Sequence, residues 1–228
     1  MAPTKAADRP AGAASPRGHR GLRPKERASW ARTYATTPYP ELPWFREGPK
    51  PAISDAVKRG NHRPPGPWIE LGCGAGSDSL WLAGRGFRVT GVDVAPAAIE
   101  AARARAAEAH LRVRFVESDI LKLPFPAGRF RYASDMGCFH TLPPRLRVPY
   151  AREISRVLRP GGLHVLSWAA REATQEVGPP HRLSVADVGA SLEGQFLFER
   201  VEYSEGGPRL PHYTAILRRR TAPQPPPR

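Results

Sequence analysis

The sequence predicts an α/β fold: a seven-stranded, mainly parallel sheet with helices on both faces and an antiparallel hairpin at its C-terminal end. Three observations carry this. From residue 68 onward, short apolar runs alternate with stretches of helical periodicity, as in strand–helix units wound into one sheet. Asp93, Asp119 and Asp135 each close one of the runs, where a parallel strand opens into a loop. The last two runs follow one another with no helical pattern between them.

WIEL (68–71) reads as the first strand. SDSLWLAGRG then sets Leu80, Trp81 and Ala83 on a helix that Gly84 or Gly86 ends. FRVTGVD (87–93) is the second strand, and Pro96 suits the first turn of an alanine-rich helix running to His110. RVRFVESD (112–119) is the third. The loop LPFPAGR leads to FRYAS (130–134), which stops at Asp135. Pro143-Pro144 opens a helix, and AREISRVL (151–158) is helical and closed by Pro160, Gly161 and Gly162. LHVLSWA (163–169) is the fifth strand. Ser184 and Asp187 form a capping pair for a short helix, before QFLFERVEY and HYTAILRRR pair as the hairpin.

At 228 residues the chain suits one domain, expected over residues 30–220. Residues 1–29 lack apolar periodicity and residues 221–228 read TAPQPPPR, so both are expected to be disordered tails. The net charge of +14 is concentrated toward the two ends of the chain. Residues 1–33 hold eight Lys or Arg against Asp8 and Glu26, and residues 218–228 hold four Arg, so ten of the fourteen net charges lie near the ends. The folded part is left weakly basic, which argues against a specific nucleic-acid partner; a looser tail-borne association with RNA through counterion release is the alternative. Cys73 and Cys138 make neither a disulfide framework nor a metal cluster, and no metal is expected. No apolar run is long enough for a membrane span and no secretory leader is visible, so the expected setting is cytoplasmic, as a monomer or homodimer.

The first strand runs into Glu70-Leu-Gly-Cys-Gly-Ala-Gly76. Gly72, Gly74 and Gly76 permit unusual dihedrals and leave no side chains in the way, so a ligand can rest on main-chain N–H groups. A dinucleotide fingerprint needs Gly at 77, where Ser77 stands, and a phosphate loop needs a Lys that is missing. Asp93, at the end of the second strand, is placed to accept two hydrogen bonds from a ribose diol.

With GVDV (91–94), ESDILKLPFP (117–126), the strand-end Asp135 and RVLRPGGLHVLSW (156–168) occurring in order, the chain resembles the class I S-adenosylmethionine-dependent methyltransferases over about residues 35–218. The resemblance implies a Rossmann-like fold with S-adenosylmethionine as cofactor. Gly72, Cys73, Gly74 and Gly76 would form the loop beneath its methionine and ribose, with Glu70 holding the loop and the cofactor's amino group. Asp93 would grip the ribose, Val94 would pack on the adenine, and Asp119 and Ile120 would border that ring. Asp135 and Met136 would face the methionine end. Two departures stand out: Ala95 replaces the usual Ser or Thr cap, and Phe130-Arg131 replaces Phe-Asp before the fourth strand.

The connection after the fifth strand, residues 170–182, is too short to cradle a large substrate, so a small-molecule acceptor is expected. Its cover should come from residues 30–45, which hold five of the nineteen aromatics, Trp44 and Phe45 among them. Trp44-Phe45 after a Pro-rich aromatic stretch, with Asp-Met-Gly-Cys-Phe-His (135–140), is similar to the thiopurine and tellurite-resistance type and points to a thiol, chalcogen or similar nucleophile. Direct displacement needs little beyond alignment and dryness. His140, on the loop after the fourth strand, is the candidate base and acceptor contact, with His181 as a second contact. The competing readings are O- or C-methylation of a natural product or quinone, which would need His140, and a non-catalytic cofactor-binding module.

Overall fold

The computed structural model describes residues 21–60, 62–170, 181–205 and 211–221. Helices α1 (Pro24–Thr36) and α2 (Pro51–Lys58) precede β1 (Pro67–Leu71) and α3 (Ser77–Ala83). Then come β2 (Arg88–Asp93), α4 (Pro96–Glu108), β3 (Arg114–Glu117) and β4 (Phe130–Asp135). The chain continues through α5 (Pro144–Val157), β5 (Leu158–Ala169), α6 (Val185–Leu192), β6 (Phe196–Ser204) and β7 (His212–Arg219). The strand order is β3-β2-β1-β4-β5-β7-β6. The first five strands are parallel, and β7 runs antiparallel to both neighbours. Strand order reverses between β1 and β4, so the loops after these strands flank a crevice where ligands bind in open sheets.

All five residues of β1 are buried because helices cover both faces. Pleating sends Ile69 and Leu71 into a core shared with Tyr150, Ile154 and Trp168, and Trp68 into a second core with Ile53, Phe87 and Tyr132. Each such side chain contributes about 1.5–3 kcal/mol on burial, which makes β1 a rigid platform for the loop it feeds.

The boundaries differ from expectation in three places. Residues 24–29, expected inside a disordered tail, form the first turns of α1. This helix buries none of its residues, so side-chain pairing holds it. Glu26 accepts the Arg23 N–H at 2.7 Å and pairs with Arg145 on α5, and Arg27 meets the buried Asp119 at 2.8 Å. Helix α5 runs from Pro144 through Pro149, whose missing N–H removes one intrahelical bond without ending the helix, since Leu146, Tyr150, Ala151 and Ile154 are buried on its inner face. Strand β5 begins at Leu158, and a register shift opposite Phe130 and Tyr132 carries it through Pro160 and Gly161. Residues 1–20 and 222–228 of the expected tails lie outside the described residues, and no helix among those described is long and apolar enough to cross a membrane.

Candidate active site

The loop after β1 turns through left-handed glycines, with φ of +63° at Gly72, +52° at Gly74 and +79° at Gly76. It is tied down from β2: the Cys73 N–H donates to the Val92 carbonyl at 2.9 Å, and the Gly74 N–H donates to Asp93 Oδ2 at 2.9 Å. The other oxygen of Asp93 accepts the Ala95 N–H at 2.9 Å, which fixes the residue before α4, while the start of the helix has no side-chain cap. Burial raises the Asp93 carboxyl while these N–H groups lower it. Asp93 lines the cavity, and a carboxylate oxygen with one donor on it has capacity for another, as a ribose diol requires.

That cavity has a volume of about 1530 Å³ along the carboxyl edge of the sheet. Small-molecule pockets run to roughly 300–1,000 Å³, so this one has room for two small ligands side by side. Glu70, Gly72, Cys73, Gly74, Asp93, Val94, Ile120 and Met136 all line it, as do Trp44, Phe45 and His140. Glu70 is buried, accepts a short hydrogen bond from Ser79, and is pushed well above the usual carboxylate range, chiefly by burial and then by Asp78. The bare glycines fit a cofactor seat: a β-carbon at Gly72 would lie 2.0 Å from Cys138 Sγ, and one at Gly74 would lie 2.7 Å from the Tyr34 hydroxyl. Among the described residues, no group of three or more His, Cys, Asp or Glu is placed to hold a metal ion.

Four expected positions fall elsewhere. A β-carbon at Gly76 would strike Phe115 Cζ at 2.9 Å; this glycine lets α3 start hard against β3 and α4, and it does not line the cavity. Asp119 also lies off the cavity wall. One of its oxygens takes the Leu22 N–H and Arg27 Nη2, both at 2.8 Å, and the other takes the Leu121 N–H at 2.9 Å. It anchors the N-terminal segment instead of facing an adenine.

Asp135 is fully buried beneath the loop that follows β4 and does not line the cavity. It gathers the N–H groups of Gly137, Cys138 and Phe139 and the Tyr150 hydroxyl, which itself lies 3.1 Å from His164 Nε2. His181 donates its main-chain N–H to the His140 carbonyl at 2.7 Å, but its ring is not on the cavity wall.

His140 reaches the cavity in a form that does not suit a base. The Ala169 N–H donates to its Nδ1 at 3.1 Å, so Nδ1 carries no proton and the neutral ring is protonated at Nε2. Burial, with smaller effects from His181 and Lys50, pushes its pKa down to about 4. His140 therefore presents an N–H donor, and taking up a second proton would break the bond to Ala169.

Residues 30–50 form an aromatic cover over the glycine loop. Trp44 Nε1 donates to the Tyr34 hydroxyl at 3.0 Å, while Trp30 packs edge-on against Trp44 and Tyr39 against Phe45. Arg105 of α4 stitches this cover down: it donates to the Ala75 carbonyl at 2.7 Å, pairs with Glu47 at 2.7 Å, and lies over Tyr39 and Phe45. At the far end the Lys50 N–H donates to the buried Asp78 at 2.6 Å. Sequence reasoning missed Tyr34 as a site residue, and with it Asp78 and Arg105. The aromatic cluster was the available signal for Tyr34; nothing local marked the other two, whose partners lie 28 to 58 residues away.

Residues 69–162 match a family model described as a methyltransferase domain. The 2-heptyl-1-hydroxyquinolin-4(1H)-one methyltransferase of Mycobacteroides abscessus is 33% identical over 144 residues, 62% of this chain and 63% of that protein. The thiopurine S-methyltransferase of Pseudomonas fluorescens is 28% identical over 144 residues, 57% of this chain and 66% of that protein. Both are thus matched over less than two thirds of their own length. Among solved structures, the Burkholderia thailandensis 1,6-didemethyltoxoflavin-N1-methyltransferase, solved with 1,6-didemethyltoxoflavin and S-adenosylhomocysteine bound, superposes with a TM-score of 0.68 at 21% identity. The match covers 94% of this chain and 93% of that one, and it shows a shared fold.

Proposed function

We propose that the chain is a class I S-adenosylmethionine-dependent methyltransferase and that it methylates a small, flat acceptor whose nucleophile is already ionised near neutral pH, a thiol or an acidic hydroxyl. The observation that carries this reading is the hydrogen bond from the Ala169 N–H to His140 Nδ1. It leaves the ring an N–H donor where deprotonation of a weak acid would need a base. Three carboxylates of the wall beside the glycine loop are engaged as well: Glu70 with Ser79, Asp78 with Lys50, and Asp93 with Gly74 and Ala95. The Cys138 thiol is pushed well up by burial. A thiol with a pKa near 8.5 is partly ionised without help, whereas an aliphatic alcohol is not. The relatives named for a hydroxyquinolinone and for thiopurines act on flat rings carrying such groups, which supports the same reading.

Bound S-adenosylmethionine would supply the methyl group on a positively charged sulfur, a leaving group that needs no activation. Gly72, Cys73 and Gly74 seat the cofactor, Asp93 clasps its ribose, and Val94 and Ile120 wall its base. Glu70 stands within reach of its amino group. Trp44 and Phe45 close the cavity from above, exclude water and hold the acceptor flat. Met136 and Cys138 border the reacting end. The proposed readings with an unactivated hydroxyl or carbon nucleophile lose support because His140 does not offer a free lone pair.

The test is an acceptor panel read by S-adenosylhomocysteine release, with thiophenols, phenols of graded acidity and aliphatic alcohols. Turnover should follow the ionised fraction of each acceptor, and the alcohols should be inert. Methylation of an aliphatic alcohol at a rate comparable to that of thiophenol would overturn the reading. A second expectation concerns Asp93→Ala, which removes the ribose clasp and leaves the Gly74 and Ala95 N–H groups without their acceptor. At about 1.5–3 kcal/mol for each charged hydrogen bond, affinity for S-adenosylhomocysteine should fall by about 100-fold or more in calorimetry. Asp93→Asn, which keeps one acceptor oxygen, should fall between the two.

A further inference from the structure

Tyr34 is the polar group of the aromatic cover that the cofactor seat leaves unexplained. Its oxygen accepts the Trp44 indole N–H at 3.0 Å, which orients the hydroxyl, and among the described residues no protein group accepts its own proton. The side chain lines the cavity, and its oxygen would lie 2.7 Å from a β-carbon at Gly74. Asp93, Cys138 and Cys73 are the charged or titratable groups around it. The hydroxyl therefore lies over Gly74, close enough to Asp93 and Cys138 to feel both. Burial, reinforced by Asp93, keeps the phenol protonated.

An anionic nucleophile in a water-excluding cavity needs donors that hold it without neutralising it. A cation would stabilise it but blunt its attack, and a carboxylate would repel it. Two neutral donors facing the cavity meet that need: His140 through Nε2–H and Tyr34 through O–H. We propose that Tyr34 is an acceptor-binding residue whose hydroxyl donates to the anionic nucleophile, opposite His140 and oriented by Trp44. This rests on the reading of an ionised acceptor given above. The Trp44 bond then explains why an indole sits in the cover, since it occupies a lone pair of Tyr34 and directs the proton toward the acceptor.

The test compares wild type with Tyr34→Phe and Trp44→Phe. S-adenosylhomocysteine affinity is measured by calorimetry, and thiophenol is the probe for KM, kcat and the pH profile. Tyr34→Phe should keep S-adenosylhomocysteine affinity within about twofold, which also reports an intact fold, and raise the thiophenol KM by about tenfold, the loss of one hydrogen bond to a charged group. The acid limb of kcat should move to higher pH, because the bound thiolate loses a donor. Trp44→Phe should shift KM in the same direction by less. An unchanged KM and acid limb in Tyr34→Phe would overturn the assignment. So would a tenfold loss of S-adenosylhomocysteine affinity with the thiophenol KM unmoved, which would make Tyr34 a cofactor ligand. A wild type that binds S-adenosylhomocysteine but turns over aliphatic alcohols as well as thiophenol overturns the ionised-acceptor reading instead.

Discussion

Gly72→Ala should reduce affinity for S-adenosylhomocysteine by about 100-fold or more in calorimetry. Two effects add. The residue sits at φ +63°, where a β-carbon costs about 1 kcal/mol, and that β-carbon would lie 2.0 Å from Cys138 Sγ. The main chain at Cys138 cannot withdraw, because its N–H is held by Asp135 at 2.7 Å and the flanking N–H groups are held by the same carboxyl, so relief requires the thiol to leave its rotamer. Either the cysteine or the glycine loop must move, and the loop is the part that seats the cofactor. Overpacking of this kind costs about 1–3 kcal/mol in addition to the strain. The double variant Gly72→Ala/Cys138→Ala separates the two effects: the nearest remaining contact is Cβ to Cβ at 3.5 Å, an ordinary separation. It should recover most of the lost affinity and leave only the backbone cost, about fivefold. Wild-type affinity in the single variant would show that this stretch of main chain does not carry the cofactor.

Asp135→Ala should lower the thermal midpoint by about 10 °C or more. The substitution leaves the N–H groups of Gly137, Cys138 and Phe139 and the Tyr150 hydroxyl without their acceptor in a fully buried place. Each orphaned group costs about 1–3 kcal/mol, and in a chain of this size each kcal/mol is worth roughly 2–4 °C. Asp135→Asn keeps an acceptor oxygen for the loop and should be far milder, with a distinctive pH dependence. Burial raises the Asp135 pKa from 3.8 to about 6, partly offset by its hydrogen bonds. The folded protein thus holds this proton more tightly than the unfolded chain does, and the stability this lends below about pH 4 is lost as the pH rises through 6. The asparagine lacks that loss. Urea unfolding at pH 4 and pH 7 should find Asp135→Asn gaining on wild type by about 2–3 kcal/mol over the interval. A constant difference between the variants at both values would mean that Asp135 does not titrate in this window.

The placement of the ligand-facing loop was legible because its cause is local. Glycines at 72, 74 and 76 and an acid at 93 follow from what a strand must do when it ends under a ligand, and the structure puts Gly72, Gly74 and Asp93 on the cavity wall. The same reasoning failed at Gly76, where the close neighbour is Phe115, 39 residues away, and at Asp119, whose partners Leu22 and Arg27 come from a segment that looked too polar to fold. Helix α1 has no buried face for a periodicity to reveal. It is held by pairing with groups that the sheet has already desolvated, and such pairing leaves no trace in the local pattern.

By itself the sequence determined the alternation of strands and helices, the pairing of the last two strands and the strand end at which a ligand would sit. Hydrophobic periodicity and the dihedral freedom of glycine act within a few residues of one another, so they can be read along the chain. Only the tertiary structure decided which polar groups face the cavity and in what protonation state. His140 is a donor because an amide 29 residues away occupies its Nδ1, and Asp135 is a buried brace because Tyr150 and three amides converge on it. A side chain's chemistry depends on which partners surround it in space, and in this fold those partners are brought together by strands that are neighbours in the sheet but distant in the chain.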